Sequence, residues 1–247
     1  MPTIERIPWG EFSDHLKTAW HPGDHFSVIA PTGYGKSHLV VKGLMARWSH
    51  VITLDVKGDD PVVAKGCGDL IHGFPTKKDI LLAEMGEHNP RYLFRVNSSS
   101  KAGMQREFYD VFNKAWSTGG RRKKAGSWVL HIDEARITSD KLKMRDHLEW
   151  LWISGRSKGI TMLASTQAPR FVPTEFYDQA TWIAIGRQRD ERTILRLKEI
   201  GGIGGDGIDL KTVLPGLERS ANRREFLVVG PDDLAVITSW EPPRERR

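Results

Sequence analysis

Short apolar runs alternate with amphipathic stretches along this chain, and that alternation sets the expected fold. Phe26 to Ala30 is apolar and short, a glycine-rich stretch follows to Gly35, and Lys36 to Trp48 has a helical pattern: strand, loop, helix. The order then recurs. Val51 to Val56 and Arg91 to Val96 are expected to be a second and a third strand. Gln105 to Trp116 is expected to be a helix, with Phe108, Val111, Phe112 and Ala115 on one face at three- and four-residue spacing. Trp128 to Ile132 is nearly all apolar, the pattern of a strand buried on both faces. Leu142 to Ile153 looks helical, Ile160 to Ser165 is a fifth strand and Thr181 to Gly186 a sixth. Strands alternating with helices imply an α/β fold, a mostly parallel central sheet with helices on both faces.

The texture changes after Leu197, where Gly201, Gly202, Gly204, Gly205 and Gly207 predict a flexible segment ending near Leu210. Glu225 to Val229 and Leu234 to Thr238 flank Gly230-Pro231-Asp232-Asp233, which predicts a C-terminal β-hairpin closing the domain edge. Residues 242–247 are too polar and proline-rich to pack, so a disordered tail is expected from 241 to 247. No internal repeat and no linker between two domains is visible. The expected organisation is a single domain over residues 1–240, with an N-terminal extension over 1–24.

Composition narrows the class. With 247 residues, 39% of them hydrophobic and 28% charged, the chain has the make-up of a globular protein with one large core. No stretch approaches the roughly 18 uninterrupted apolar residues of a membrane span, and the amino terminus, carrying Glu5 and Glu11, lacks a signal pattern. A cytoplasmic protein is expected. The single cysteine, Cys67, can form no internal disulfide and lacks a second thiol for a zinc site, so it is taken as an ordinary small residue. The net charge of +6 and a pI near 9.4 suit a polyanionic partner such as DNA. Arg121, Arg122, Lys123 and Lys124 form the densest basic run, set among glycines, and two readings stay open for it: a solvated loop or a DNA-contacting one.

Candidate chemistry sits at the ends of the apolar strands. Ala30-Pro31-Thr32-Gly33-Tyr34-Gly35-Lys36-Ser37 matches the phosphate-binding loop except that Ala30 replaces its first glycine. Following a strand and opening a helix, it can aim backbone N–H groups and a helix N-terminus at one anion, with His38 next in line. Gly33 and Gly35 permit the backbone path, Lys36 reaches the β- and γ-phosphates of ATP, and the Ser37 hydroxyl coordinates Mg²⁺. The second element, Trp128 to Glu134, delivers two adjacent carboxylates at the carboxyl end of a strand, where α/β sheets place ligands. Asp133 is expected to hold Mg²⁺ through water, and Glu134 to polarise the attacking water. Gln167, ending the strand from Ile160, is a candidate sensor of the γ-phosphate, against a plain capping role. Arg156, in Gly155-Arg156-Ser157-Lys158-Gly159, is a candidate to reach a neighbouring subunit's nucleotide, against a plain surface role, with Arg187 and Arg189 as substitutes.

Together these stretches resemble the HerA/FtsK superfamily of DNA-pumping ATPases, over roughly residues 20 to 200. The phosphate loop alone says only P-loop NTPase. The second strand's ending, Leu54-Asp55-Val56-Lys57-Gly58-Asp59, and the run from Gly155-Arg156 through Gly159-Ile160 to Thr166-Gln167-Ala168-Pro169 point to this superfamily. The resemblance implies a RecA-like sheet and a homo-oligomeric ring, preferably a hexamer, around double-stranded DNA. It also implies an arginine acting in trans ahead of the glutamine strand, a role that falls on Arg156. Asp55 and Lys57 match a family motif, for which a structural contact near the nucleotide is expected. The compact form is similar to viral genome-packaging ATPases, which implies a phage or mobile-element setting and a capsid or portal partner.

The leading expectation is therefore an ATP-driven double-stranded DNA translocase. Lys101, Arg106, the run from Arg121 to Lys124, and Lys141 are its candidate DNA contacts. Two alternatives remain, a nucleotide or small-molecule kinase and an assembly ATPase that moves no DNA. Trp9, Phe12 and Trp20 are either core residues or a stack for the nucleotide base.

Overall fold

Ten strands among the described residues form one sheet in the computed structural model, which describes residues 4–48, 50–85, 91–118, 128–199, 207–220 and 222–241. In chain order they are β1 (Glu5–Pro8), β2 (His25–Ile29), β3 (Val51–Leu54), β4 (Asp69–Ile71), β5 (Arg91–Phe94), β6 (Val129–Ile132), β7 (Thr161–Thr166), β8 (Ala180–Gly186), β9 (Arg224–Val229) and β10 (Ala235–Trp240). The helices are α1 (Trp9–Ala19), α2 (Lys36–His38), α3 (Pro61–Gly66), α4 (Lys77–Met85), α5 (Lys101–Thr118), α6 (Arg145–Ser154), α7 (Glu175–Asp178), α8 (Glu191–Glu199) and α9 (Leu210–Gly216).

The sheet order is β1-β10-β9-β8-β2-β7-β6-β3-β5-β4. From β8 to β4 every neighbour is parallel, and β9 is antiparallel to both β8 and β10. Alternation along each strand feeds two cores, one on each face. In β2, Phe26 and Val28 pack with Trp20, Leu44 and Trp182 on one face, while Ile29 packs on the other with Phe112, Leu151 and Phe176. β6 is buried along its whole length, as its apolar run predicts.

Several boundaries differ from expectation. The helix expected from Lys36 to Trp48 begins as α2, widens into π turns over Leu39–Leu44 and tightens to a 3₁₀ turn over Met45–Arg47. Leu39, Val40, Val41 and Leu44 are all buried there, an apolar arc broader than one regular helical face. The helix expected from Leu142 starts at Arg145, because Lys143 has φ 56° and breaks the helical path after a separate π turn over Ile137–Lys141.

The N-terminal residues are built into the sheet, since β1 pairs in parallel with β10. That pairing was hidden because β1 is only four residues long and mostly exposed. The hairpin of β9 and β10 is antiparallel as expected, with Asp232 and Asp233 at φ 56° and 58° in its turn, but it does not close the edge, where β1 lies. Trp9 packs edge-on to Trp240, Phe12 against Trp182 and Trp20 against Phe26, so all three serve packing. Cys67 is buried, and burial pushes its thiol up to about 11, in keeping with an inert small residue. The basic run Arg121 to Lys124, most of the glycine segment after Leu197 and the tail from residue 242 lie outside the described residues. Among the described residues, no helix is long and apolar enough to cross a membrane.

Candidate nucleotide site

The parallel strands β2, β6 and β7 deliver their C-terminal ends to one edge of the sheet, and the candidate chemistry collects there. Thr32, Gly33, Gly35, Lys36, Ser37, His38, Lys57, Asp60, Val62, Asp133, Glu134, Gln167 and Arg224 line one cleft of about 510 Å³, a volume ordinary for a small-molecule site. The phosphate loop turns on Gly33 at φ 68° and Gly35 at φ 92°, a left-handed path that side chains disfavour. Ala30 is buried, and its N–H donates to the Thr166 carbonyl at 3.2 Å, locking the start of the loop to β7. Neither Ala30 nor Pro31 lines the cleft, and the Tyr34 side chain turns into the core against Phe226.

Lys36, Lys57, Asp60 and Glu134 each have a defined partner. Lys36 Nζ donates to the Pro31 carbonyl at 3.3 Å, and burial lowers its pKa to about 8 against the pull of Glu134 and Asp133. Ser37 donates to Asp60 Oδ2 at 2.6 Å. Asp60 caps α3 by accepting from the N–H groups of Val62 and Val63, ahead of Pro61. Burial would raise the Asp60 pKa, but the hydrogen bonds from Ser37, Val62 and Val63 outweigh it and hold the carboxyl below its usual range. Asp133 moves the other way, up to about 6, through burial and the nearby charges of Asp60 and Glu134, with Lys57 and Lys36 opposing.

Both oxygens of Glu134 are engaged. Thr166 Oγ1 donates to Oε1 at 3.0 Å, and Lys57 Nζ stands 3.8 Å from Oε2. Asp55, fully buried at its side chain, accepts from the Gly58 N–H at 2.7 Å and from Arg95 Nε at 2.8 Å, which sets the turn that carries Lys57. Gln167 takes a hydrogen bond from Thr32 Oγ1 at 2.5 Å, so it reaches the loop directly.

Arg156 stands elsewhere. It precedes β7 whereas Gln167 follows it, so a six-residue strand, about 20 Å, separates the two. Its side chain is 71% exposed and pairs with Asp24 at 3.2 Å. Arg187 and Arg189, just beyond β8, do not line the cleft. Lys101, Arg106 and Lys141 are exposed and also lie outside it.

Two cleft residues escape a reading of motifs. Asp60 carried a usable signal, an aspartate directly before a proline, which marks a helix start. Arg224 carried none, because only the return of β9 alongside β8 brings it to the loop.

A nucleotide and a cation fit this arrangement. The cleft presents a buried ammonium beside a glycine-turned loop, with a hydroxyl and carboxylates close by.

No family model matches the sequence, and no curated protein matches it. Solved structures do match. B204, the DNA-packaging ATPase from Sulfolobus Turreted Icosahedral Virus, is 19% identical with a TM-score of 0.62, over 88% of this chain and 97% of that one. The genome packaging NTPase B204 from Sulfolobus turreted icosahedral virus 2, solved with AMPPCP, is 18% identical with a TM-score of 0.60, over 87% and 97%. The conjugation coupling protein TcpA of pCW3, solved with ATPγS, is 14% identical with a TM-score of 0.53, over 90% of this chain and 60% of that one. The fold is shared with these proteins, in line with the HerA/FtsK resemblance carried by the motifs.

Proposed function

We propose that this chain hydrolyses ATP and uses the energy to move double-stranded DNA, as a genome-packaging ATPase of a virus or mobile element. The observation that carries the hydrolytic part is the meeting of Lys36, Ser37, Asp133, Glu134 and Gln167 around one cleft at the C-terminal edge of the sheet. Lys36 neutralises the terminal phosphates, and the loop N–H groups cradle the others. Glu134, steadied by Thr166 and Lys57, takes the proton of the attacking water, and Gln167 orients that water or reports its loss. Ser37 and Asp133 would hold Mg²⁺, which supplies charge neutralisation at the phosphates. With Glu134 and Gln167 both lining the cleft beside the phosphate loop, hydrolysis suits the geometry better than transfer to a second substrate.

The DNA part rests on the packaging neighbours, on the HerA/FtsK motifs and on the net charge of +6. Residues 1–240 act as one ATPase domain, in a ring of copies that is preferably hexameric. Arg156, exposed and remote from its own cleft, serves the cleft of the next copy. The setting is a host cytoplasm, and a capsid or portal receives the DNA.

The test is steady-state ATP hydrolysis with and without linear double-stranded DNA, with Glu134→Gln as the blank. Stimulation by DNA that vanishes in the variant supports the translocase. Turnover indifferent to DNA at low salt favours an assembly ATPase that moves none.

A further inference from the structure

The phosphate loop has an arginine neighbour on its glycine side. Because β9 runs antiparallel to β8, its first residue, Arg224, lies at the edge where β2, β6 and β7 end. Arg224 lines the cleft. A Cβ placed on Gly35 would meet Arg224 Cδ at 3.2 Å, Nε at 3.6 Å and Nη1 at 3.8 Å, so the side chain lies directly over the loop. Its Nε is buried and makes no hydrogen bond. The adjacent acid does not neutralise it: Glu225 is committed to the Glu218 N–H at 2.9 Å, Arg6 at 3.3 Å and Arg223 at 3.7 Å. Arg219, cross-strand from Arg224, holds its guanidinium 5.8 Å from the Tyr34 ring centroid and props the loop from the same side.

A half-buried guanidinium with an unmet donor, seated over a phosphate loop, is a site awaiting an anion. We propose that Arg224 is a nucleotide-binding residue supplied by the C-terminal hairpin, contacting a non-terminal phosphate of the bound nucleotide. This rests on the reading of the cleft as a nucleotide site. The non-terminal assignment follows from the sides of the loop. Lys36 faces Asp133, Glu134 and Lys57, where the terminal phosphate reacts, whereas Arg224 approaches at Gly35, among the N–H groups that cradle the inner phosphates. The planar fork of an arginine suits two phosphate oxygens in a way that a lysine does not.

The experiment is equilibrium binding of fluorescent ATP and ADP to the full chain, as wild type, Arg224→Ala, Arg224→Lys and Lys36→Ala, with a thermal melt of each. Arg224→Ala is expected to weaken ATP and ADP alike by about tenfold, and Arg224→Lys by about threefold in both, without loss of the folded transition. Should Arg224→Ala fail to fold, Arg224→Lys decides, since it keeps the stem over Gly35 and loses only the fork. Unchanged affinity for both nucleotides, or weakening of ATP alone, overturns the proposal. Unchanged affinity in the Arg224 variants beside lost affinity in Lys36→Ala overturns it while leaving the ATPase reading intact. A wild type that binds neither nucleotide overturns both.

Discussion

The Tyr34 hydroxyl lies 2.6 Å from the Glu225 carbonyl, which ties the middle of the phosphate loop to β9, the strand that carries Arg224. The tie is buried, and the Tyr34 ring packs edge-on to Phe226 at 5.2 Å. The side chain of a residue inside the loop motif thus works as an anchor. Tyr34→Phe leaves a buried carbonyl short of its donor, and it is expected to lower stability by about 1 kcal/mol, read by urea denaturation. Nucleotide affinity should weaken with it. Unchanged values for both would mean that the loop needs no anchor.

The same ring makes a sharper steric prediction. A Cβ on Gly186, at the end of β8, would sit 2.6 Å from Tyr34 Cδ1 and 2.7 Å from Ala30 Cβ. Gly186→Ala is therefore expected to cost about 1 to 3 kcal/mol as the loop is pushed off its seat. ATP turnover should fall more than a surface control variant of equal stability.

Asp60 joins two tasks that substitutions can separate. As the cap of α3 it accepts from Val62 and Val63, and as a charge it stands 2.6 Å from the Ser37 hydroxyl and raises Asp133. Asp60→Ala loses the cap, at about 1 kcal/mol. Asp60→Asn keeps the cap and loses the charge, so its stability should approach wild type. Its ATPase should need several-fold more Mg²⁺ for half-maximal rate, because less negative charge draws the cation. An unchanged Mg²⁺ requirement would confine Asp60 to capping.

A pH dependence of stability follows from His25. Its Nδ1 accepts from the Met162 N–H at 3.1 Å, which places the ring proton on Nε2, 2.8 Å from the Trp152 carbonyl. Burial lowers its pKa from 6.5 to about 4. The unfolded chain binds a proton in that window and the folded chain does not, so stability is full above about pH 6.5 and falls as the pH drops towards 4. His131, buried and lowered to about 3, acts in the same direction. The His25 contribution is on the order of 3 kcal/mol at most. Denaturation at pH 7 and pH 5 should show the decline, and His25→Gln should make it shallower, with His131 supplying the remainder; an equal slope in the variant would refute the assignment.

The parallel core and the cleft edge were legible because their signals are local. Buried strands such as β6 are continuous apolar runs, and the phosphate loop is a fixed spacing of glycine, lysine and serine after one of them. What stayed hidden depends on distant partners. β1 forms because β10 offers an edge, and Arg224 reaches Gly35 because β9 folds back beside β8. Lys57 was placed near the nucleotide by resemblance, but its partner, Glu134, is visible only once β3 and β6 lie side by side. The start of α6 was missed because Lys143 adopts a left-handed turn that its residue type does not announce.

Comparing ATP binding with ATP cleavage in Glu134→Gln and Lys36→Ala tests the assignment of the cleft as an ATPase site. Glu134→Gln is expected to bind ATP about as tightly as wild type while its turnover falls by about 100-fold or more, and Lys36→Ala is expected to lose both. Near-normal hydrolysis in either variant would contradict the assignment of this cleft as the ATPase site.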